Sequence, residues 1–136
     1  VRNLIANRGQ LRQFFGDNQT IEKETISVLD KGFVSRFKSL VEERMKDAEL
    51  NVEDLGRNMG MSRVQLYRKL KSLTNYSPNE LLRQMRLKKA ASLLASSDMT
   101  VAEIAYEVGF SSPSYFTKCY KEQFGESPTE FLKRRG

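Results

Sequence analysis

The sequence predicts an all-α fold, and three observations carry that prediction. The stretch from Thr100 to Pro128 reads as two short helices around a glycine turn. The same pattern occurs earlier, from Asn51 to Pro78. A long amphipathic segment joins the two copies. Duplication of a whole supersecondary unit is a stronger signal than any single motif within it.

From the N-terminus, Val1 to Phe15 places Val1, Leu4, Ile5, Leu11, Phe14 and Phe15 near heptad positions, a candidate helix weakened by Gly9. Gly16 to Thr25 is polar and reads as a loop or linker. From about Lys31 to Ala48, Phe33, Val34, Phe37, Leu40, Val41, Met45 and Ala48 fall on one helical face, with Asp30 as the expected N-cap.

The first copy opens with NVEDLGRNMG from Asn51 to Gly60, against TVAEIAYEVG from Thr100 to Gly109. Val52 matches Val101, Leu55 matches Ile104 and Gly60 matches Gly109. After the turn the second copy carries one extra residue, at Ser111 or Ser112, so that Leu66 matches Phe116, Arg68 matches Lys118 and Lys71 matches Lys121. Both copies end in an S-P-x-E box, at Ser77 to Glu80 and Ser127 to Glu130, which places an N-cap, a first-turn proline and the reciprocal glutamate in series. In the second copy Thr100 and Glu103 form a capping box, Gly109 stops the helix, Phe110 and Ser111 turn, and Ser112 with Pro113 starts the next helix. A short helix, a glycine turn and a second helix make a helix-turn-helix.

The second helix of the first copy, Ser62 to Leu73, buries Leu66, Leu70 and Leu73. This leaves Arg63, Val64, Gln65, Tyr67, Arg68, Lys69, Lys71 and Ser72 away from the core. In the second copy Phe116, Tyr120 and either Gln123 or Phe124 take the buried role, and Ser114, Tyr115, Thr117, Lys118 and Lys121 face out. Long cations, an amide, hydroxyls and small apolar groups are the types that read base edges in a DNA major groove. On one isolated helix they would be ordinary solvent-facing residues; on two matching helices they favour DNA. The joining segment, Pro78 to about Ala95, carries Arg83, Arg86, Lys88 and Lys89 on its basic side. Its helix would be a rod about 27 Å long, enough to hold two reader helices one DNA turn of roughly 34 Å apart.

Charge and composition narrow the function. Ser62 to Lys89 holds eight basic residues and one acidic, Glu80, whereas Ala90 to Ser111 holds three acidic residues and no basic ones. The net charge of +6 therefore comes from one 28-residue stretch, the electrostatic footprint of a nucleic-acid binder. Phosphate contacts are expected from Lys69, Lys71, Arg83, Lys88, Lys89 and Lys121, and from the helix N-termini at Ser62 and Ser112. The chain has no histidine, which removes histidine-based triads and the commonest zinc ligand; no metal site and no cofactor are expected. Cys119 is the lone cysteine, read as a small residue at the subdomain surface and in keeping with a reducing cytoplasm. No apolar run reaches the roughly 18 residues of a membrane span. The chain begins at Val1 rather than methionine and is expected to be a fragment of a longer protein.

Three runs then carry a resemblance: R-L-x-x-A-x-x-L-L from Arg86 to Leu94, I-A-x-x-V-G-F-S-S-P-S-Y-F from Ile104 to Phe116, and F-G-E-S-P from Phe124 to Pro128. From about Phe33 to Arg135 the chain resembles the DNA-binding domain of the AraC/XylS family of bacterial transcription regulators. The resemblance implies about seven helices in two helix-turn-helix subdomains, about residues 51–77 and 100–127, joined by a linker helix over about 78–95. Two recognition helices would then enter successive major grooves of double-stranded DNA. It puts base-reading positions on Val64, Gln65, Tyr67 and Arg68, beside Arg63, and on Ser114, Tyr115, Thr117 and Lys118. Val64 and Tyr67 are weak hydrogen-bonding readers.

Residues 1–32 differ from the family's sugar-binding partner domain. Val1 to Phe15, with R-x-L at Arg2 to Leu4 and R-x-x-L at Arg8 to Leu11, is similar to the last helix and exit linker of receiver domains. In Bacteroides-type hybrid two-component regulators such a receiver precedes this DNA-binding domain. That likeness implies an upstream receiver or sensor, a homodimer through residues 1–30, RNA polymerase as partner, and a cytoplasmic domain whose full-length protein is tethered to the inner membrane. The expected function is a non-enzymatic transcription activator. Two rival classes are a helical protein-interaction module and a carboxylate-based enzyme. For the enzyme, Glu103 and Glu107 are the sole candidate pair, and a solvated face explains them more simply.

Overall fold

The computed structural model describes residues 28–135, and every regular element among them is helical. The readings of Val1 to Phe15 and Gly16 to Thr25 fall outside these residues. Seven helices follow in order: α1 (Val28–Arg44), α2 (Val52–Asn58), α3 (Arg63–Thr74), α4 (Pro78–Ser96), α5 (Val101–Glu107), α6 (Pro113–Phe124) and α7 (Pro128–Arg135).

The chain divides into two units. The described part of the first comprises residues 28–42 and 51–80; the second comprises residues 43–50 and 81–135. The boundaries fall inside α1 and α4, so each of these helices gives one end to each unit. The first unit buries Val34, Phe37 and Val41 of α1, Val52 and Leu55 of α2, and Leu66 and Leu70 of α3. In the second, Leu87, Ala90, Leu94, Ile104, Ala105, Val108, Phe110, Phe116, Cys119 and Tyr120 form one apolar cluster. Phe116 is fully buried and packs edge-on against Phe110 with ring centroids 5.3 Å apart. Burying a side chain of that size contributes roughly 1.5–3 kcal/mol.

The duplication extends to the backbone. In the first copy the Met61 N–H donates to Gly56 O at 2.8 Å; in the second the Phe110 N–H donates to Ala105 O at 2.9 Å. The turn glycines Gly60 and Gly109 both have positive φ, at 70° and 97°. Both copies then start the next helix on a serine, Ser62 or Ser112, whose side chain accepts the N–H three residues on. α3 ends on Asn75 and α6 on Gly125, both left-handed, and each of these N–H groups returns to a lysine carbonyl at 2.8 Å. The S-P-x-E boxes at Ser77 and Ser127 close as the sequence predicts.

Four local expectations change. α1 already runs at Val28, so Asp30 lies inside it, and its carboxylate pairs with Lys69 at 3.5 Å instead of capping. α1 ends at Arg44, where Asp47 gathers the chain end: its N–H donates to Arg44 O, and its carboxylate accepts from the Glu49 N–H at 2.9 Å. In α3, Leu73 is half-buried, and the innermost last-turn side chain is Thr74, 1% exposed. Its hydroxyl donates to Leu70 O at 2.8 Å and accepts from the Tyr76 N–H at 3.1 Å, which satisfies a polar group that burial would otherwise penalise. In α6 neither Gln123 nor Phe124 is buried; Cys119 lies inside instead, 4% exposed. Helical spacing allows position 119 or 123 to complete a stripe through 116 and 120, and the small thiol fits the closer approach.

Candidate nucleic-acid interface

With Leu66 and Leu70 facing inward, α3 leaves Arg63, Val64, Gln65, Tyr67 and Arg68 exposed. Val64 keeps 55% and Tyr67 47% of its surface in water, a marked apolar exposure for a helix whose other face is core. In α6, with Phe116, Cys119 and Tyr120 turned in, Ser114, Tyr115, Lys118 and Lys121 are exposed and Thr117 is half-buried. Each unit thus brings its own sequence-predicted base readers onto one helix.

The first turns of these two helices share a feature absent from the others. α1, α2, α4, α5 and α7 each carry an acidic residue in the first turn: Asp30, Glu53 with Asp54, Glu80, Glu103 and Glu130. α3 and α6 carry none. A helix N-terminus ordinarily favours a carboxylate through its dipole. Omitting it on these two leaves their N–H ends and hydroxyl caps available to an outside anion. Ser62 and Ser112 serve there as caps, their Oγ atoms accepting from Gln65 N–H at 3.1 Å and Tyr115 N–H at 3.2 Å.

The cations divide by what they touch. Arg83, Lys88, Lys89 and Lys121 are exposed and Lys71 is half-buried. Lys69 is drawn toward α1, 3.5 Å from the Asp30 carboxylate and 5.1 Å from the centre of the Phe33 ring. Arg86, on the basic side of the linker helix in the sequence, is half-buried, and its guanidinium donates to the carbonyls of Met45 at 3.2 Å and Asp47 at 2.9 Å. It ties the end of α1 to α4 within the second unit. The signal for this was faint, since nothing in R-L-x-x-A-x-x-L-L says where the arginine turns.

Tyr115 sits on the Phe110 ring, centroids 5.8 Å apart. A hydrogen bond with the Cys119 thiol holds its phenol above the ordinary value, and the Arg83 guanidinium acts in the opposite direction. The acidic pair singled out in the sequence is occupied structurally. Glu103 Oε1 accepts from the Thr100 N–H at 2.8 Å, and Glu107 pairs with Lys46 at 3.1 Å. Among the described residues no group of three histidine, cysteine, aspartate or glutamate side chains could hold a metal ion.

One feature at the start of the first reader lies outside the sequence expectations. Ser62 and Gln65 form a capping box, with the Ser62 N–H donating to Gln65 Oε1 at 2.8 Å. The S-x-x-Q spacing was available to find it.

Two helix-turn-helix units, each exposing a polar reader helix with no acid in its first turn, define a helix-turn-helix DNA-binding protein. Known proteins agree. The helix-turn-helix domain family matches residues 55–134. A histidine kinase P4 of Formosa agariphila is 35% identical, over 98% of this chain and 10% of its own length. The C-terminal domain of AraT, a response regulator from Geobacillus stearothermophilus, superposes with a TM-score of 0.72 at 28% identity, over 82% of this chain and 88% of that one. The DNA-binding domain of AdpA, solved in complex with a target DNA, gives 0.69 at 30% identity, over 74% and 90%. The chain belongs to the AraC-type helix-turn-helix family. It spans only a tenth of the length of the Formosa relative.

Proposed function

We propose that this chain is the DNA-binding output domain of a two-component transcription regulator, acting as an activator on a bipartite site read in successive major grooves. The observation that carries the proposal is the duplicated reader: α3 and α6 start on equivalent serines, end on equivalent left-handed caps and expose equivalent positions. Base contacts come from Arg63, Val64, Gln65, Tyr67 and Arg68 in the first reader and from Ser114, Tyr115, Thr117 and Lys118 in the second. Phosphate contacts come from Lys71, Arg83, Lys88, Lys89 and Lys121, with the α3 and α6 N-termini at Ser62 and Ser112. Lys69 joins them on leaving Asp30.

The two-component context rests on the comparisons. The match to the Formosa relative covers 98% of the chain, so it extends through nearly all of residues 1–32; the likeness to the AraT response-regulator domain covers 82% of the chain. A receiver or sensor upstream, dimerisation through residues 1–30 and contact with RNA polymerase complete the reading. Catalysis is not part of it. The domain works in the cytoplasm, where the DNA is, with the full-length protein tethered at the inner membrane. Among the described residues no helix is long and apolar enough to cross a membrane.

A salt titration of DNA binding tests the proposal. If Lys71, Arg83, Lys88, Lys89 and Lys121 each neutralise one phosphate, log affinity falls against log salt with a slope of about −4.5, steepening to about −5.4 where Lys69 leaves Asp30 to join them. Arg68→Ala costs roughly 1–3 kcal/mol and relaxes preference at one base pair, whereas Lys71→Ala weakens all sequences alike and flattens the slope by about 1. Binding equally well to any polyanion would instead favour a helical protein-interaction module.

A further inference from the structure

Four capping boxes occur among the described residues. Three close on glutamate: the N–H groups of Ser77, Thr100 and Ser127 donate to Glu80, Glu103 and Glu130, each at 2.8 Å. The fourth closes on Gln65 at the same 2.8 Å, at the start of the first reader. The geometry is shared and the chemistry is not. A carboxylate offers acceptors alone; a carboxamide whose oxygen is engaged still has an NH2 group with two donors. Gln65 is exposed, and among the described residues no acceptor takes its Nε2.

Resting on the reading of α3 as a DNA reader, we propose that Gln65 acts as a hydrogen-bond donor from inside its closed capping box, so that the base facing it is guanine or thymine and not adenine. Glutamine recognises adenine by accepting from N6 while donating to N7. Here Oε1 is turned back onto the Ser62 N–H, so the bidentate adenine contact requires the box to open. Guanine N7 and O6 and thymine O4 ask only for donors, whereas adenine N7 lies beside the N6 amino group, which would face the carboxamide NH2 donor to donor. The neighbours point the same way: Arg63 and Arg68 carry donors and no acceptor, and Val64 offers methyl groups to a thymine methyl. Glutamate would close the box equally well, but it would bring an acceptor and a negative charge to the phosphates. The one box that starts a reader helix is the one built on the neutral residue.

Site selection from random double-stranded DNA tests this, using the whole chain as wild type, Gln65→Glu and Gln65→Met. The wild type should select guanine or thymine at one position of one half-site. Q65E should keep the box and unfold at or above the wild-type temperature, while its preference at that position alone moves to cytosine or adenine by about tenfold. Q65M should lose preference there and leave the other half-site unchanged. Adenine selected by the wild type at the position that Q65M abolishes would overturn the proposal. So would unchanged preferences in both variants, or a Q65E protein that unfolds well below the wild type. A wild type that selects no sequence removes the DNA-reading role itself, and Arg68→Ala is then silent as well.

Discussion

In the first unit the reader ends on Asn75, and the chain turns back with Thr74 and Tyr76 buried, 1% and 7% exposed. In the second it ends on Gly125, and the matching positions are Phe124, exposed on the Tyr120 ring at 4.6 Å, and Glu126, paired with Arg134 at 2.6 Å. The same backbone frame is closed from inside in one copy and from outside in the other. The turn before the reader shows the reverse contrast. A Cβ on Gly60 would meet open space, whereas one on Gly109 would lie 2.0 Å from Met45 O and 2.7 Å from Arg86 Nε. The motif therefore fixes dihedral angles and caps and leaves each copy free to choose where it is tightly packed. At the turn glycine only the second copy is tight; one turn earlier the first is, where a Cβ on Gly56 would lie 2.7 Å from Met61 O and the second copy accommodates Ala105.

The largest test of that difference is a pair of alanines. Gly109→Ala should cost about 3–5 kcal/mol in urea unfolding, because strained φ and a backbone clash coincide. Gly60→Ala should cost about 1–2 kcal/mol, for the left-handed conformation alone. Equal losses would erase the contrast. Next, Thr74→Val keeps the shape but leaves the Tyr76 N–H without its acceptor, at a cost of about 1–3 kcal/mol; Phe124→Val, at the matching position, should be much milder.

The smallest effect is a pH dependence at Glu126 in the second copy. The Arg134 hydrogen bond holds the Glu126 carboxyl below its ordinary 4.5. A depressed folded value means the contribution is fully present above about pH 4.5 and is lost as pH falls through the folded value. A carboxyl NMR titration should show Glu126 moving back up in Arg134→Gln. Tyr76 buries the equivalent corner of the first copy and gives that corner no such carboxyl response.

These contrasts explain what the sequence disclosed. Features coded within four residues were legible: the Thr100–Glu103 box, the S-P-x-E starts, and the glycine stops at 60 and 109. So were the reader faces, because a fixed offset of 50 compares each position with a second solution of the same problem. DNA binding by variants at Lys71 and Tyr115 tests the contacts proposed for those faces. Cys119 and Phe124 exchanged their expected places because three- and four-residue spacings share one helical face, and only the packed partner decides between them. Arg86 looked like surface charge because its acceptors lie 39 and 41 residues earlier, beyond the reach of any local pattern.

That long reach has a consequence for how the chain is made. The second unit begins with residues 43–50, is interrupted by the whole helix-turn-helix of the first, and resumes at Leu81. At roughly 5–20 residues per second, the carbonyls of Met45 and Asp47 wait some two to eight seconds on the ribosome for the guanidinium of Arg86. The first reader can fold during that interval, while the second unit, though its opening segment is translated before the whole first helix-turn-helix, is necessarily the last to be completed.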